Sequence, residues 1–108
     1  MRILIADQLR DQRLIIRLMC GGHWVKEVSH STEAISKAKD FDLIFTEVVF
    51  PGLAGNDYLS ALRRATNGKI IVTTAQREGY EQMDMVIRKP FYKSQIVEAI
   101  SKFSNERT

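Results

Sequence analysis

One cysteine, two prolines and one tryptophan stand among 108 residues, and each scarcity narrows the kinds of protein this can be. A lone Cys20 forbids any intrachain disulfide, and its neighbours Leu18, Met19 and Gly21 read as a helix end, so a small core residue is expected rather than a reactive thiol. His23 and His30 have no Cys, His or carboxylate at ligand spacing, so both read as surface or loop residues and no metal site is expected. No apolar run approaches the ~20 residues of a membrane span. The N-terminus opens directly into a strand pattern, without the charge, apolar stretch and cleavage site of a signal peptide, so the expectation is a cytoplasmic chain with no membrane contact. Repeats, low-complexity segments and internal linkers are also missing. So is any large excess of one charge: the net value is +3. Basic residues are not interleaved with aromatics, and no DNA-binding motif is recognisable, so direct nucleic-acid binding is not expected.

What is present is an ordinary globular composition, 44% hydrophobic and 27% charged. At this length it makes one domain over residues 1–108, with a single core and no output domain. Apolar runs of four to six residues alternate with amphipathic stretches of about ten, a pattern that argues for βαβ units and a parallel sheet covered on both faces. Strands are predicted near 2–6, 24–29, 42–47, 69–74 and 84–88, and helices over 9–21, 32–39, 56–66 and 93–104. Gly21-Gly22 ends the first helix, Ser31 is the expected N-cap of the second, and Gly55 and Asn56 open the third. The last helix shows Ile96, Val97, Ile100 and Phe103 on one face.

The run Asp42-Leu43-Ile44-Phe45-Thr46-Glu47-Val48-Val49-Phe50-Pro51-Gly52 reads as a buried strand that delivers one carboxylate, Glu47, onto a Pro-Gly loop. Four further landmarks follow a fixed order. Arg2-Ile3-Leu4-Ile5-Ala6 is a strand ending at Asp7 and Gln8. Lys69-Ile70-Ile71-Val72-Thr73-Thr74-Ala75 is a strand ending in hydroxyls, and Arg88-Lys89-Pro90-Phe91 follows a fifth strand. The ordered set resembles the receiver domains of bacterial two-component response regulators. That resemblance implies an α/β, flavodoxin-like three-layer sandwich, a five-stranded parallel sheet of order 2-1-3-4-5, and a cis peptide bond before Pro90. It also implies a phosphoacceptor pocket at Asp7, Gln8, Glu47, Thr74 and Lys89.

Several positions depart from the family. Its phosphorylated residue is Asp, where this chain has Glu47, and its Mg²⁺-ligating carboxylate corresponds to Gln8. Mg²⁺ generally takes one or two carboxylates with waters and phosphate oxygens, so neutral Gln8 and the longer Glu47 imply weak or lost Mg²⁺ binding and no cofactor. The family's switching aromatic corresponds to Val86, and Tyr80 would replace it only if the segment before it folded back, which is not expected. Residues 75–88 must hold both a crossover and the fifth strand, whereas a βαβ connection normally takes a dozen or more residues. The fourth helix is therefore expected to be shortened or absent.

These departures together describe a degenerate receiver, or pseudo-receiver, acting in signalling by protein–protein interaction without Asp phosphorylation, and not an enzyme. Glu47 reads either as an ion pair with Lys89 or as a fixed imitation of the phosphorylated state. Asp7 reads as a helix cap or as a remnant acid facing Lys89, and Thr74 as a pocket hydroxyl or one bonded to local backbone. Arg10, Arg13 and Arg17, at i, i+3 and i+7, line one helix stripe. That stripe is either solvated or a docking stripe for an acidic signalling partner, kinase-like or regulatory; a homodimer also stays open. The rival readings are a receiver that accepts phosphoryl by an unorthodox route and the N-terminal regulatory domain of a DNA-binding transcriptional regulator. A flavin carrier would share the sheet order, but Asp7-Gln8-Leu9-Arg10 is no phosphate-cradling loop.

Overall fold

The computed structural model describes residues 1–106. Five parallel strands, β1 (Arg2–Ala6), β2 (Trp24–Val28), β3 (Leu43–Thr46), β4 (Lys69–Thr74) and β5 (Met85–Arg88), form one sheet of order β2-β1-β3-β4-β5. Four helices accompany it: α1 (Arg10–Leu18), α2 (Ser31–Lys37), α3 (Gly55–Ala65) and α4 (Lys93–Glu106), with a 3-10 turn at Ala38–Asp40. The fold class and strand order are those expected of a flavodoxin-like sandwich.

Strand alternation divides the core into two layers. Leu4, Ala6, Ile44, Ile70 and Val72 face α2 and α3, where Ala34, Tyr58, Leu59 and Leu62 meet them. Ile3, Ile5, Leu43, Phe45, Ile71 and Ile87 face the opposite way, toward Ile16 and Cys20 of the α1 region and Ile96, Ala99, Ile100 and Phe103 of α4. The three middle strands are apolar on both faces because helices cover both.

Five expectations need correction. Counted along the chain, the fourth helix is not shortened: α4 runs 14 residues. The shortage falls instead on the β4–β5 connection, residues 75–84, which is built of turns and bends. The connector also folds back, so that Tyr80 and Met83 pack against the α2/α3-side core together with Val86. Gly79 at φ 97° and Tyr80 at φ 72° make that reversal; the left-handed conformation is costly for tyrosine and persists because packing and hydrogen bonds hold it. Helix α1 stops at Leu18 rather than 21, because the amides of Met19 and Cys20 turn back to the carbonyls of Ile16 and Arg17. Smaller differences are that Ser31 is the first helical residue of α2, with His30 in the cap position, and that Val97 is exposed while Ala99 takes the buried place.

Candidate functional site

Parallel strands bring their carboxyl ends to one edge of the sheet, and three of those ends carry charge. Asp7 follows β1, Glu47 follows the neighbouring β3, and Lys89 follows β5. Strand β4 separates β5 from β3, so Lys89 and Glu47 start two strand spacings apart, roughly 10 Å, and their two long side chains together close the gap. Lys89 Nζ donates to Asp7 Oδ2 at 2.7 Å and to Glu47 Oε1 at 3.1 Å.

The other carboxylate oxygens are held by backbone. Asp7 Oδ1 accepts the Leu9 amide at 2.8 Å, and Glu47 Oε2 accepts the Val48 amide at 2.7 Å. The Arg13 guanidinium donates to the Asp7 carbonyl at 2.7 Å. Asp7 is 1% exposed and the side chains of Glu47 and Lys89 are 11% and 12% exposed, so these bonds act in a setting where water screens little. Two carboxylates share one ammonium, and the aligned amides meet the remaining negative charge. Of its two expected roles Asp7 takes the one facing Lys89; it does not cap α1, whose N-cap position is held by Leu9 without a side-chain cap bond, and its second oxygen instead holds the Leu9 amide two residues on.

The remaining expected pocket residues fare differently. Thr74 is fully buried at the end of β4, but its Oγ1 accepts the Gln76 amide at 3.3 Å, and its carbonyl accepts the Lys89 amide at 2.8 Å. Its hydroxyl is bonded to local backbone. Gln8 is exposed and contributes a carbonyl, 3.4 Å from Arg13 Nη1. Val86 is half-buried in the α2/α3-side core. The peptide bond before Pro90 is cis.

The arginine stripe is divided by a residue the sequence reading overlooked. Glu27, on β2, receives Arg13 Nε at 3.2 Å and Arg17 Nη1 at 2.9 Å, which leaves Arg10 without an ion pair among the described residues. Alternation along β2, which puts Glu27 beside the exposed Lys26 on an edge strand, was the available signal. Two further polar ties were also missed. Thr46 Oγ1 donates to the Glu47 carbonyl at 2.7 Å and pairs with Tyr58 Oη at 2.7 Å, clamping the chain beside the acidic site to α3. Burial pushes the Tyr58 phenol up to about 12, opposed by its bond to Thr46. Arg88 donates to the carbonyls of Gln76 and Gly79 and to Glu81.

A divalent cation of the kind the resemblance implies needs several oxygen donors, including one or two free carboxylates. No group of three or more His, Cys, Asp or Glu is gathered for a metal among the described residues, and the two carboxylates that converge already surround an ammonium. The residues present do not fit a divalent-cation site.

An open parallel sheet of order β2-β1-β3-β4-β5 with an acid–lysine cluster at its carboxyl edge defines an α/β domain of the flavodoxin-like class. The model of the response regulator receiver domain matches residues 3–101, and the chain belongs to that family. The chemotaxis protein CheY of Thermotoga maritima is 27% identical over 116 residues, covering 95% of this chain and 97% of that protein. A two-component response regulator from Clostridium difficile superposes with a TM-score of 0.87 at 21% identity, over 99% of this chain and 98% of that one. The response regulator TrrA of Thermotoga maritima, in complex with Mg(2+)-BeF, gives 0.78 at 24% identity over 94% and 97%. No helix among the described residues is long and apolar enough to cross a membrane.

Proposed function

We propose that this receiver domain works without a phosphorylation switch, as a pseudo-receiver that carries signals by protein–protein interaction. The observation that carries the reading is Lys89 seated between Asp7 and Glu47 at 2.7 and 3.1 Å. In this arrangement all four carboxylate oxygens have hydrogen-bond donors from the protein itself. An acyl phosphate forms only when a carboxylate oxygen attacks phosphorus in line, with a cation neutralising the transferring oxygens. Here the ammonium occupies the position between the acids, and Glu47 is one methylene longer than the family's Asp. Displacement of a reacting atom by about an ångström costs on the order of a hundredfold in rate. Neutral Gln8 supplies no anionic ligand to compensate.

Helix α1 supports the interaction half of the proposal. Its outward face presents Leu14 and Leu18, 49% and 65% exposed, and Leu9 precedes it at 60%. Arg10 and Arg17 flank this apolar strip, so a partner offering an apolar surface with acidic edges would fit it. Incubation with acetyl phosphate and Mg²⁺ tests the switchless reading by intact mass spectrometry. Unmodified protein is expected, and a stoichiometric gain of one phosphoryl group on Glu47 or Asp7 would establish a working receiver of unorthodox chemistry instead.

A further inference from the structure

The amino edge of the sheet, at the other end of the strands from the acidic cluster, carries a cleft of about 480 Å³, within the size range of small-ligand sites. Buried Phe41 and Phe103 line it, one from each core layer. Three exposed cations from three separate elements line it as well: Lys39 of the 3-10 turn, Arg64 in the last turn of α3, and Lys69 at the start of β4. None of the three has a hydrogen bond or an ion pair among the described residues.

The neighbouring arginine explains why Arg64 is left over. A helix ends in partial negative charge, and Arg63 meets it: Nη2 donates to the carbonyls of Thr66 and Gly68, and Nη1 pairs with Asp84 at 3.0 Å. The same bonds fix the wall of the cleft. The Gly68 amide donates to Thr66 Oγ1 at 2.9 Å, and the Lys69 amide to the Asp42 carbonyl at 2.9 Å. Gly68 lies so close to the preceding strand entry that a Cβ there would stand 2.6 Å from the Phe41 carbonyl oxygen and 2.9 Å from that of Asp42. The loop between α3 and β4 is therefore ordered before any ligand arrives, and binding pays little to organise it.

From this geometry we infer that the amino-edge cleft is a binding site for a small organic polyanion, a molecule carrying two or more phosphate or carboxylate groups. Like charges gathered without counter-ions repel one another, and an anion seated among them relieves the repulsion. The apolar floor of Phe41 and Phe103 focuses their field into the cleft. A planar guanidinium takes two oxygens of a phosphate or carboxylate at once, and the lysines add point charges. Asp42 and Glu106 also line the cleft, but Asp42 Oδ2 already accepts the Arg2 amide at 2.8 Å, so the uncompensated charge is positive. The site lies a strand's length from Lys89 and owes nothing to phosphoryl chemistry at the carboxyl edge.

The test is an NMR titration of the full chain with pyrophosphate and, separately, with citrate, at ionic strength held constant with sodium chloride. The Asn67, Gly68 and Lys69 amides report the cleft, and the Leu9 and Val48 amides report the opposite edge. Saturable shifts of the first three are expected with at least one probe, at half-saturation in the low millimolar range or tighter, while Leu9 and Val48 stay in place; the probe that binds identifies the anionic group preferred. Arg64→Gln and Lys69→Gln alter exposed side chains, so both variants are expected to keep the native spectrum and to weaken binding about tenfold each, the usual loss for one charge-assisted hydrogen bond. Lys93→Gln removes an equal charge at the far end of α4, ten residues and about 15 Å from Phe103, and is expected to leave binding unchanged. The inference is overturned if the shifts remain linear at tens of millimolar with both probes, if Lys93→Gln weakens them as much as Arg64→Gln does, or if Leu9 and Val48 move in place of the cleft amides.

Discussion

At the scale of single residues, the Glu47 carboxylate is the informative group, because its chemistry was legible and its partners were only half so. The sequence placed an acid at a strand end and Lys89 in reach, and the ion-pair alternative for Glu47 matches the 3.1 Å contact. The reading of Asp7 as an acid facing Lys89 likewise matches its 2.7 Å contact, whereas the adjacent amides that hold both acids depend on backbone direction that no residue pattern encodes. Removing one partner from a buried pair leaves the other unsatisfied, so Glu47→Gln and Lys89→Met are each expected to cost about 1–3 kcal/mol in denaturant titrations. The double variant should recover part of the loss, since both substitutions remove one interaction; strictly additive losses would show that the groups do not act on each other. Cys20 offers a second test at this scale. Burial raises its thiol to about 11, opposed by nearby Arg17, and the thiolate is the nucleophile. Iodoacetamide near neutral pH is therefore expected to label Cys20 only after unfolding, and rapid labelling of native protein would contradict its buried position.

At the scale of elements, the strands were legible because apolar runs bounded by turns leave little choice, and the chain-length argument located the missing crossover correctly between β4 and β5. How that gap is filled was not legible. Gly79 and Tyr80 look like a plain interruption in sequence, and only the fold shows that they turn Tyr80 back onto the core. The pairing of Arg13 and Arg17 was not legible for a related reason: helical spacing sees neighbours on one helix, whereas Glu27 comes from a strand. If the exposed α1 leucines form the proposed docking strip, Leu14→Glu or Leu18→Glu is expected to reduce partner capture from the native cell far more than Arg13→Glu, with the fold checked by circular dichroism. Tyr58 tests the α3 clamp. Tyr58→Phe leaves Thr46 with one partner fewer and should cost about 0.5–1.5 kcal/mol. The pH dependence has a definite sign: the folded-state value of about 12 lies above the ordinary 10.0. The unfolded chain therefore loses its phenolic proton first, and stability present below pH 10 falls as pH rises toward about 12. That alkaline component should vanish in Tyr58→Phe, and an unchanged alkaline limb would assign it to other groups.

At the scale of the whole molecule, the sheet order gathers three chain segments, each more than thirty residues from the next, into one charged edge. The same architecture that would present acids to a divalent cation instead closes them on an internal ammonium. A cation and Lys89 then compete for the same oxygens. Mg²⁺ must be partly dehydrated to bind, and here it must also displace an ammonium from two hydrogen-bonded carboxylates and leave that ammonium without a partner. Both requirements act against it, and Gln8 offers no charge in return. Ligand binding to the native state stabilises by RT ln(1 + [L]/Kd), about 0.4 kcal/mol once the ligand equals its dissociation constant. Millimolar Mg²⁺ is accordingly expected to leave both the melting temperature and the Leu9 and Val48 amide resonances in place. Gln8→Asp combined with Glu47→Asp is the informative contrast, since it adds a charge and shortens the competing arm without touching the sheet. In that variant Mg²⁺ should raise the melting temperature and shift both resonances with a saturable titration. Saturable shifts of the same two amides in the unsubstituted protein would mean that Lys89 yields its place, and the internally closed pocket would have to be given up.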